Sequence, residues 1–355
     1  MPSTPIPIPI TRLPAHPPTR LPAHPSTHLP IHPLPMLGYL LKRLLIAIPT
    51  LLAISAVIFF ILALAPTNPL GDLATNPAIT PEVRENIRRS LGLDQPIPIR
   101  YLKWTIALFS GNLGYSFTSR LPVADLIAQR LPVTLWVIGV AYLLSVALAL
   151  PLGIVAALRH NTWVDRAITT VAFMGFSTPP FFSGLVLIIV LSVRLGWLPF
   201  IYDNTLVVQD VASFVQWLRQ SIMPIATLVL FQTAVLLRFV RAAMLEEIPQ
   251  NYVKTARAKG LGRWRIVTRH MLRNALIPVV TLVALDIPTI FTGAIVTEQV
   301  FRVPGIGALL IEAIYRGDTP VVMAIAFIYA LLVVGFNLVA DLLYGVIDPR
   351  VRYGH

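Results

Sequence analysis

Long uncharged stretches recur along most of the chain, separated by shorter polar segments. Six of them lie at residues 44–65, 131–158, 167–193, 221–237, 274–297 and 319–340, the fifth with Asp286 inside it. A helix that crosses a membrane needs about 20 predominantly apolar residues. Each stretch is long enough, so the pattern predicts six transmembrane helices.

The first stretch has one alternative, a cleaved signal peptide. The sequence "ALA" at 63–65 resembles a cleavage site for such peptides. The apolar run before it is longer than the roughly 7 to 15 residues of a signal-peptide core. We therefore interpret it as a membrane span.

Residues 1–35 have a different pattern, rich in proline and without long apolar runs. They hold 12 of the 32 prolines and repeat a unit of eight residues, as "TRLPAHPP", "TRLPAHPS" and "THLPIHPL". Proline at this density prevents helix formation and favours an extended, solvated chain. We expect a disordered tail. A metal-binding tract is the alternative, formed by His16, His24, His28 and His32. A third interpretation is that translation starts naturally at Met36 and that the repeat has no role in the fold.

The composition also indicates a membrane protein. The 355 residues are 56% hydrophobic and 12% charged, whereas a soluble domain carries about 25% charged residues. A net charge of +12 would suggest nucleic-acid binding in a soluble protein, but basic residues also mark the cytoplasmic loops of membrane proteins. We therefore expect a lipid bilayer, and no nucleic acid, as a partner. The absence of cysteine excludes disulfides and thiolate chemistry.

Basic residues cluster in the segments that six spans would place on one side of the membrane. They are Lys42, Arg43, Arg159, Arg166, Arg238, Arg241, Arg350, Arg352 and seven cations within 251–278. The positive-inside rule makes that side the cytoplasm and places both termini there. The long segment after the first span is then external, because long loops cross a membrane largely regardless of charge. Within it, Thr80 as a cap, Pro81 after it and Gly92 as a stop predict a short helix.

The predicted fold class is therefore an all-α integral membrane protein with six transmembrane helices. Its predicted divisions are the tail 1–35, a first transmembrane region 36–66, an external segment 67–130 with short helices, a transmembrane core 131–348 that contains a cytoplasmic loop 241–275, and a cytoplasmic C-terminus 349–355.

Enzymatic motifs are missing from the sequence. It has no G-x-x-x-x-G-K-[ST] loop, no H-E-x-x-H and no G-x-S-x-G. His160, His270 and His355 are scattered, which argues against a metal site. An intramembrane protease or transferase would need paired acids or a Ser/His set inside the spans, and only Asp286 lies well inside one. We predict no catalytic residue, no cofactor and no metal.

The most basic segment is "NYVKTARAKGLGRWRIVTRHMLRNALIP" at 251–278, which has seven cations and no acid. Its pattern predicts a helix, a break and a second helix. Ala256 and Gly260 are four residues apart and share one helix face. Small residues on one face let another backbone come close, and Gly260 with Gly262 allows a sharp turn. A merely solvated basic loop would explain the charge but not this small face.

After the break, the cations Arg265, Arg269 and Arg273 are four residues apart and form one stripe. The opposite stripe consists of Trp264, Val267, Met271 and Ala275. This pattern is typical of an amphipathic helix on the membrane surface, with its cations towards headgroups and water.

Residues 244–281, "MLEEIPQNYVKTARAKGLGRWRIVTRHMLRNALIPVVT", resemble the cytoplasmic loop of binding-protein-dependent ABC importer permeases, and above all the dipeptide, oligopeptide and nickel branch. The segments "LGLDQPIPIRYLKW", "GNLGYSF", "STPPFFSG", "TEQVFRVPGIGALL" and "DPRVRYG" resemble the same branch in the same order. Lys254 stands where the general loop signature has Glu, Asn112 where the family usually has Asp, and Asp286 where it is usually apolar or Gly.

The resemblance implies a type I ABC importer permease fold in the cell inner (plasma) membrane. It also implies three kinds of partner: a second permease subunit in a heterodimer, two ATP-binding subunits that hydrolyse the ATP, and an external solute-binding protein. The residues that would couple to an ATP-binding subunit are Glu246, Tyr252, Thr255, Ala256, Ala258, Lys259, Gly260 and Leu261. Arg265, Arg269 and Arg273 would anchor this loop at the membrane surface.

Several alternatives stay open at this point. A passive channel or structural membrane protein would share the six spans but need no docking loop. A secondary transporter would often show repeated spans and charged sites near the membrane centre. For an importer, the substrate expected is a peptide, with nickel complexes and other small solutes as alternatives. Asp286 would either face the pathway or partner permease, or hydrogen-bond to a neighbouring span.

Overall fold

The computed structural model describes residues 36–64, 80–90 and 92–347. All of its regular elements are helical within those residues. The helices are α1 (Met36–Leu64), α2 (Pro81–Ser90), α3 (Ile97–Phe109), α4 (Val123–Leu158), α5 (Trp163–Ser177), α6 (Pro180–Leu187) with a π-helical continuation (Ile188–Arg194), α7 (Val211–Glu247), α8 (Asn251–Ala258), α9 (Arg263–Ile266), a π-helical segment (Val267–Met271), α10 (Leu272–Phe301), α11 (Ile306–Tyr315) and α12 (Thr319–Ile347). The predicted tail and the C-terminus 349–355 lie outside the described residues.

The long helices extend beyond the uncharged stretches that predicted them. α7 begins ten residues before the stretch at 221, because Asp210 and Ser213 form a capping box at its start. The Asp210 carboxylate accepts a hydrogen bond from the Ser213 N–H at 2.8 Å, and the Ser213 hydroxyl accepts one from the Asp210 N–H at 3.0 Å. These bonds satisfy backbone donors that a helix start leaves unpaired.

The stretch at 167–193 is two helices and not one straight span. α5 and the helix formed by α6 and its π-helical continuation meet at 101°. The cause is the pair Pro179–Pro180, since proline removes a backbone donor and keeps the preceding residue out of the helical region. Thr178 and Pro179 accordingly have ψ values of 120° and 140°. The predicted span at 167–193 is therefore bent at these prolines.

A second sharp bend separates α10 from α11. Residues 293–301 and α11 meet at 82°, and Arg302 between them has left-handed backbone angles. The described residues thus contain five helices that are long and apolar enough to cross a membrane. If each of the two bent pairs is counted as one further span, there are seven candidates. The uncharged stretches did not predict α11, which is only ten residues long.

Small residues bring the central helices into close contact. Gly153 of α4 lies so near Val240 of α7 that an added Cβ would stand 2.8 Å from the valine side chain. Gly175 of α5 also lies close to α7, where an added Cβ would be 3.1 Å from the Leu230 carbonyl oxygen. Such close backbone approach is how helices pack inside membranes, where the hydrophobic effect does not drive them together.

Polar contacts fasten the two ends of the helical bundle. At one end, Arg43 of α1 pairs with Asp341 of α12 at 3.1 Å. At the other, buried Asp318 accepts hydrogen bonds from the Ser116 hydroxyl and from the Phe117 N–H at 3.0 Å, so the segment before α4 is tied to the start of α12. The short helix predicted after Thr80 is confirmed as α2, with the Val83 N–H 3.3 Å from the Thr80 hydroxyl.

Candidate functional site

The helix predicted in the basic loop is α8, and Gly260 ends it. The Gly260 N–H donates to the Arg257 carbonyl at 2.9 Å, and the Leu261 N–H donates to the Ala256 carbonyl at 3.2 Å. This pair of bonds is a Schellman motif, which needs a left-handed residue at its centre. Gly260 supplies it with φ of +74°. The predicted turn is therefore present, and its conformation explains the glycine.

Ala256 points into its own chain and not towards solvent. It is only 6% exposed and packs, together with Val253, in a cluster that includes Met244 of α7 and Met271. The expectation that Ala256 presents a small face to a partner is wrong, because α7 and the start of α10 already cover that face. Of the predicted coupling residues, Glu246, Thr255, Ala258, Lys259 and Gly260 are exposed, while Tyr252 and Leu261 are half-buried.

Two side-chain contacts hold α8 against the membrane helices. The Tyr252 hydroxyl donates to the Glu247 carboxylate at the end of α7. Burial, followed by this contact with Glu247, raises the pKa of Tyr252 to about 12, so the phenol keeps its proton at neutral pH. Beyond the turn, the Arg263 guanidinium donates to the Leu158 carbonyl of α4 at 2.9 Å. The loop is thus attached to two different long helices.

The second predicted helix is not a separate surface helix. α9 runs through the π-helical segment into α10 without a break. The cationic stripe is exposed as predicted, but Val267, Met271 and Ala275 on the other side are buried within the chain. Only Trp264 of that apolar stripe is exposed, at 74%. The expectation that this whole face meets lipid is wrong, because α7 and α8 pack against it.

An ion pair that the sequence did not predict lies beside the loop. Arg241 of α7 contacts buried Asp165 of α5 through two nitrogens, at 2.7 and 2.8 Å. The same carboxylate accepts the Asn161 N–H at 3.0 Å. The two residues are 76 positions apart, and no local pattern links them. The pair fixes the end of α7 to the start of α5.

Asp286 lies on α10 at the border of a cavity of about 100 Å³ between α4, α7 and α10. Its carboxylate accepts hydrogen bonds from the Gln232 amide of α7 and from the Thr289 hydroxyl, the latter at 2.7 Å. Tyr142 also lines this cavity. The hydrogen bond to a neighbouring helix, one of the two roles considered for Asp286, is therefore present within the chain.

A buried carboxylate holds the bend between α10 and α11. Glu298 accepts the Thr134 hydroxyl of α4 at 2.7 Å and the Ala308 N–H at 3.0 Å, so it caps the start of α11. The glycine Gly305 leaves no room for a side chain, because an added Cβ would overlap this carboxylate. The sequence signal was the motif "TEQVFRVPGIG", whose acid and glycines meet here.

Comparison with known proteins agrees with this architecture. Residues 149–353 match the family described as binding-protein-dependent transport system inner membrane component. The chain belongs to this family. Residues 36–138 match the N-terminal membrane component of the same transport systems. The permease is 39% identical to the oligopeptide transport system permease protein AppB of Bacillus subtilis, over 90% of this chain and 100% of that one.

Two further relatives extend the comparison. The glutathione transport system permease protein GsiC of Escherichia coli (strain K12) is 39% identical over 90% of this chain and 100% of its own. A solved structure of the MetNI methionine ABC transporter, facing inward, matches with a TM-score of 0.52 at 18% identity, over 63% of this chain and 97% of that one. The predicted family and the predicted all-α permease fold are confirmed. The count of six spans stays a prediction.

Proposed function

We propose that this permease forms, together with a second permease subunit, the pathway of an ATP-driven importer for peptides or a related small solute. The relatives named for oligopeptide and glutathione transport support a peptide-like substrate. Two separate subunits bind and hydrolyse the ATP, and an external solute-binding protein delivers the substrate. The permease itself carries out no catalysis.

The observation that carries this proposal is that the basic loop has one face exposed to solvent and is attached to the long helices on its other side. α8 exposes Thr255, Ala258 and Lys259 to solvent. On its other side it is fixed to α7 through Tyr252 and, past the turn, to α4 through Arg263. Because packed helices move as rigid bodies and not by bending, a push on the exposed face reaches the membrane helices. This is the arrangement that a coupling element requires.

We further propose that the permease has six spans and lies in the inner (plasma) membrane. Both of its termini are then in the cytoplasm. The spans are α1, α4, the bent pair of α5 and α6, α7, α10 and α12, and α11 enters the membrane without crossing it. Contacts between loops that this topology places together support it. Arg263 meets the Leu158 carbonyl on the cytoplasmic side, and on the other side the Tyr202 N–H meets the Phe301 carbonyl at 3.2 Å.

The test is to add bulk to the exposed side of α8. Ala258→Trp places a large ring on a surface that the permease itself leaves open. We expect normal membrane insertion, but less ATP-binding subunit recovered with the purified permease and lower ATP hydrolysis in the presence of the binding protein. Ala212→Trp is the matched control, since Ala212 is an exposed alanine at the opposite end of α7.

The outcome also separates the importer from its alternatives. A passive channel or a secondary transporter would move solute without any ATP-binding subunit. Normal recovery of that subunit together with normal hydrolysis and uptake for Ala258→Trp would remove α8 as the coupling element. Uptake by the permease in vesicles that contain no ATP-binding subunit would contradict an ATP-driven importer.

A further inference from the structure

α3 (Ile97–Phe109) presents an apolar stripe that no part of the described chain covers. The stripe consists of Ile99, Leu102, Ile106 and Phe109, which are between 47% and 72% exposed. Their spacing of three, four and three residues places them on one face of the helix. A stripe of this size in water is unfavourable, at roughly 25 cal/mol for each Å² of apolar surface. The stripe therefore indicates that something apolar covers it.

The opposite face of α3 packs against two of the long apolar helices. The Tyr101 hydroxyl lies 3.0 Å from the Leu52 carbonyl and 2.9 Å from the Ser55 hydroxyl of α1. The Trp104 ring makes an edge-to-face contact with the Phe327 ring of α12, with 6.2 Å between ring centres. These aromatic contacts fix both the position of α3 and the direction in which its stripe faces.

The position of these contacts along α1 gives the depth of α3. Ser55 lies nine residues before Leu64, which is about 13 Å at 1.5 Å per residue. The apolar part of α1 has 24 residues, about 36 Å, and so exceeds the roughly 30 Å hydrocarbon core by about 6 Å. Even if that whole excess protruded at this end, Ser55 would lie about 7 Å inside the hydrocarbon. Tyr101 therefore reaches the level of the acyl chains.

The same calculation applies to α12. Phe327 lies eight residues after Thr319, about 12 Å into the helix. With 13 residues, α3 itself is about 20 Å long and too short to cross the membrane. It can only lie within one leaflet, along the sides of α1 and α12.

The charges of α3 fit this placement. Arg100 and Lys103 are three residues apart, on the side of the helix next to the stripe. The Arg100 guanidinium lies over the Phe59 ring of α1, 5.9 Å from its centre. Long cationic side chains next to an apolar face extend towards lipid headgroups while their stems stay apolar. The stripe, the cations and the protein-facing side thus occupy three separate sectors of the helix.

We propose that α3 is an interfacial lipid-binding helix, whose stripe faces acyl chains and whose two cations lie at the level of the headgroup phosphates. The stripe continues an apolar surface of the neighbouring helix, because Val57 and Ile61 on the adjoining part of α1 are also largely exposed. The segment between the first two spans is therefore partly inside the membrane and not wholly in water.

Site-directed spin labelling tests this proposal well, because the chain contains no cysteine. Leu102→Cys, Ile106→Cys and Lys103→Cys each receive a nitroxide, and Val207→Cys, in the loop before α7, is the water-exposed control. The labelled permease is assembled with its partner subunits in vesicles of phosphatidylethanolamine and phosphatidylglycerol. Collision rates are measured with oxygen, which concentrates in lipid, and with a water-soluble nickel chelate.

The expected ratio of oxygen to nickel collisions at 102 and 106 is several-fold above that at 207, with an intermediate ratio at 103. A ratio at 106 equal to that at 207 would place the stripe in water and overturn the proposal. Low collision rates with both reagents at 102 and 106 would show that a protein covers the stripe, which also overturns it. Phe109→Cys, at the exposed end of α3, replaces either variant that does not assemble.

Discussion

The turn at Gly260 allows a quantitative test of the coupling loop. Its φ of +74° is a left-handed conformation, and a Cβ added at this position would meet nothing within 4 Å. A larger side chain therefore has space, and the cost of a substitution comes from the backbone alone. For an L-residue, the left-handed conformation costs roughly 1–2 kcal/mol. Valine, which is branched at Cβ, is a strong outlier in that region.

This cost applies to the closing of the turn. A change of 1–2 kcal/mol alters an equilibrium by a factor of roughly 5–30. In Gly260→Val we therefore expect the turned conformation, with its bonds to the Arg257 and Ala256 carbonyls, to lose population by about that factor. The contacts of Tyr252 and Arg263 lie on either side of the turn, so the membrane helices should still assemble.

The assay compares Gly260→Val with Gly260→Asn, since asparagine tolerates left-handed angles better than most residues. Both variants are purified with the partner subunits, and the recovered ATP-binding subunit and the binding-protein-stimulated hydrolysis are measured. The expected order of both quantities is glycine, then asparagine, then valine. Equal values for the valine variant and the unchanged glycine would refute the role of the turn. Equal losses for asparagine and valine would show that the loss does not come from the left-handed backbone conformation.

Three further predictions test the polar contacts of the bundle. Arg241→Met removes the guanidinium from the buried carboxylate of Asp165, which keeps the Asn161 N–H; the loss is at most about 3–5 kcal/mol, so the detergent-solubilised complex should lose its monodisperse peak at a lower temperature. Gly305→Ala forces a methyl group onto a buried carboxylate and is expected to abolish stable expression, whereas Gly335→Ala in α12, where an added Cβ meets nothing within 4 Å, should express normally. In Asp286→Asn the remaining oxygen still accepts the Thr289 hydroxyl, and the new amide N–H donates to the Gln232 side-chain oxygen once the Gln232 amide turns over, so thermal stability should change by less than about 1 kcal/mol; lost uptake at unchanged stability would then identify a role for the charge.

The sequence by itself determined the features that depend on local composition. The long apolar runs required membrane helices, because a backbone inside lipid must pair its own polar groups. The cap at Thr80 predicted α2, and the glycine at 260 predicted a turn, because these residues act within a few positions of themselves. The seven cations of the loop and the separated motifs were sufficient to indicate the family.

Only the tertiary structure decided which side of each helix is covered. Helical spacing showed that Ala256 shares a face with its neighbours, but not that α7 lies on that face. In the same way, the sequence showed that Val267, Met271 and Ala275 form the apolar stripe of an amphipathic helix, but not that the fold buries this stripe. Periodicity defines a face, and its partner comes from a distant part of the chain.

The buried polar contacts have the same origin. Thr134 and Glu298 are 164 positions apart, and Ser116 and Asp318 are 202 apart. No local pattern encodes such pairs, because their partners meet only after the helices have packed. Once packed, a buried charge must find these partners, since an unpaired one costs several kcal/mol. The sequence therefore supplied the charged residues, and the packing of the helices determined the contacts that they make.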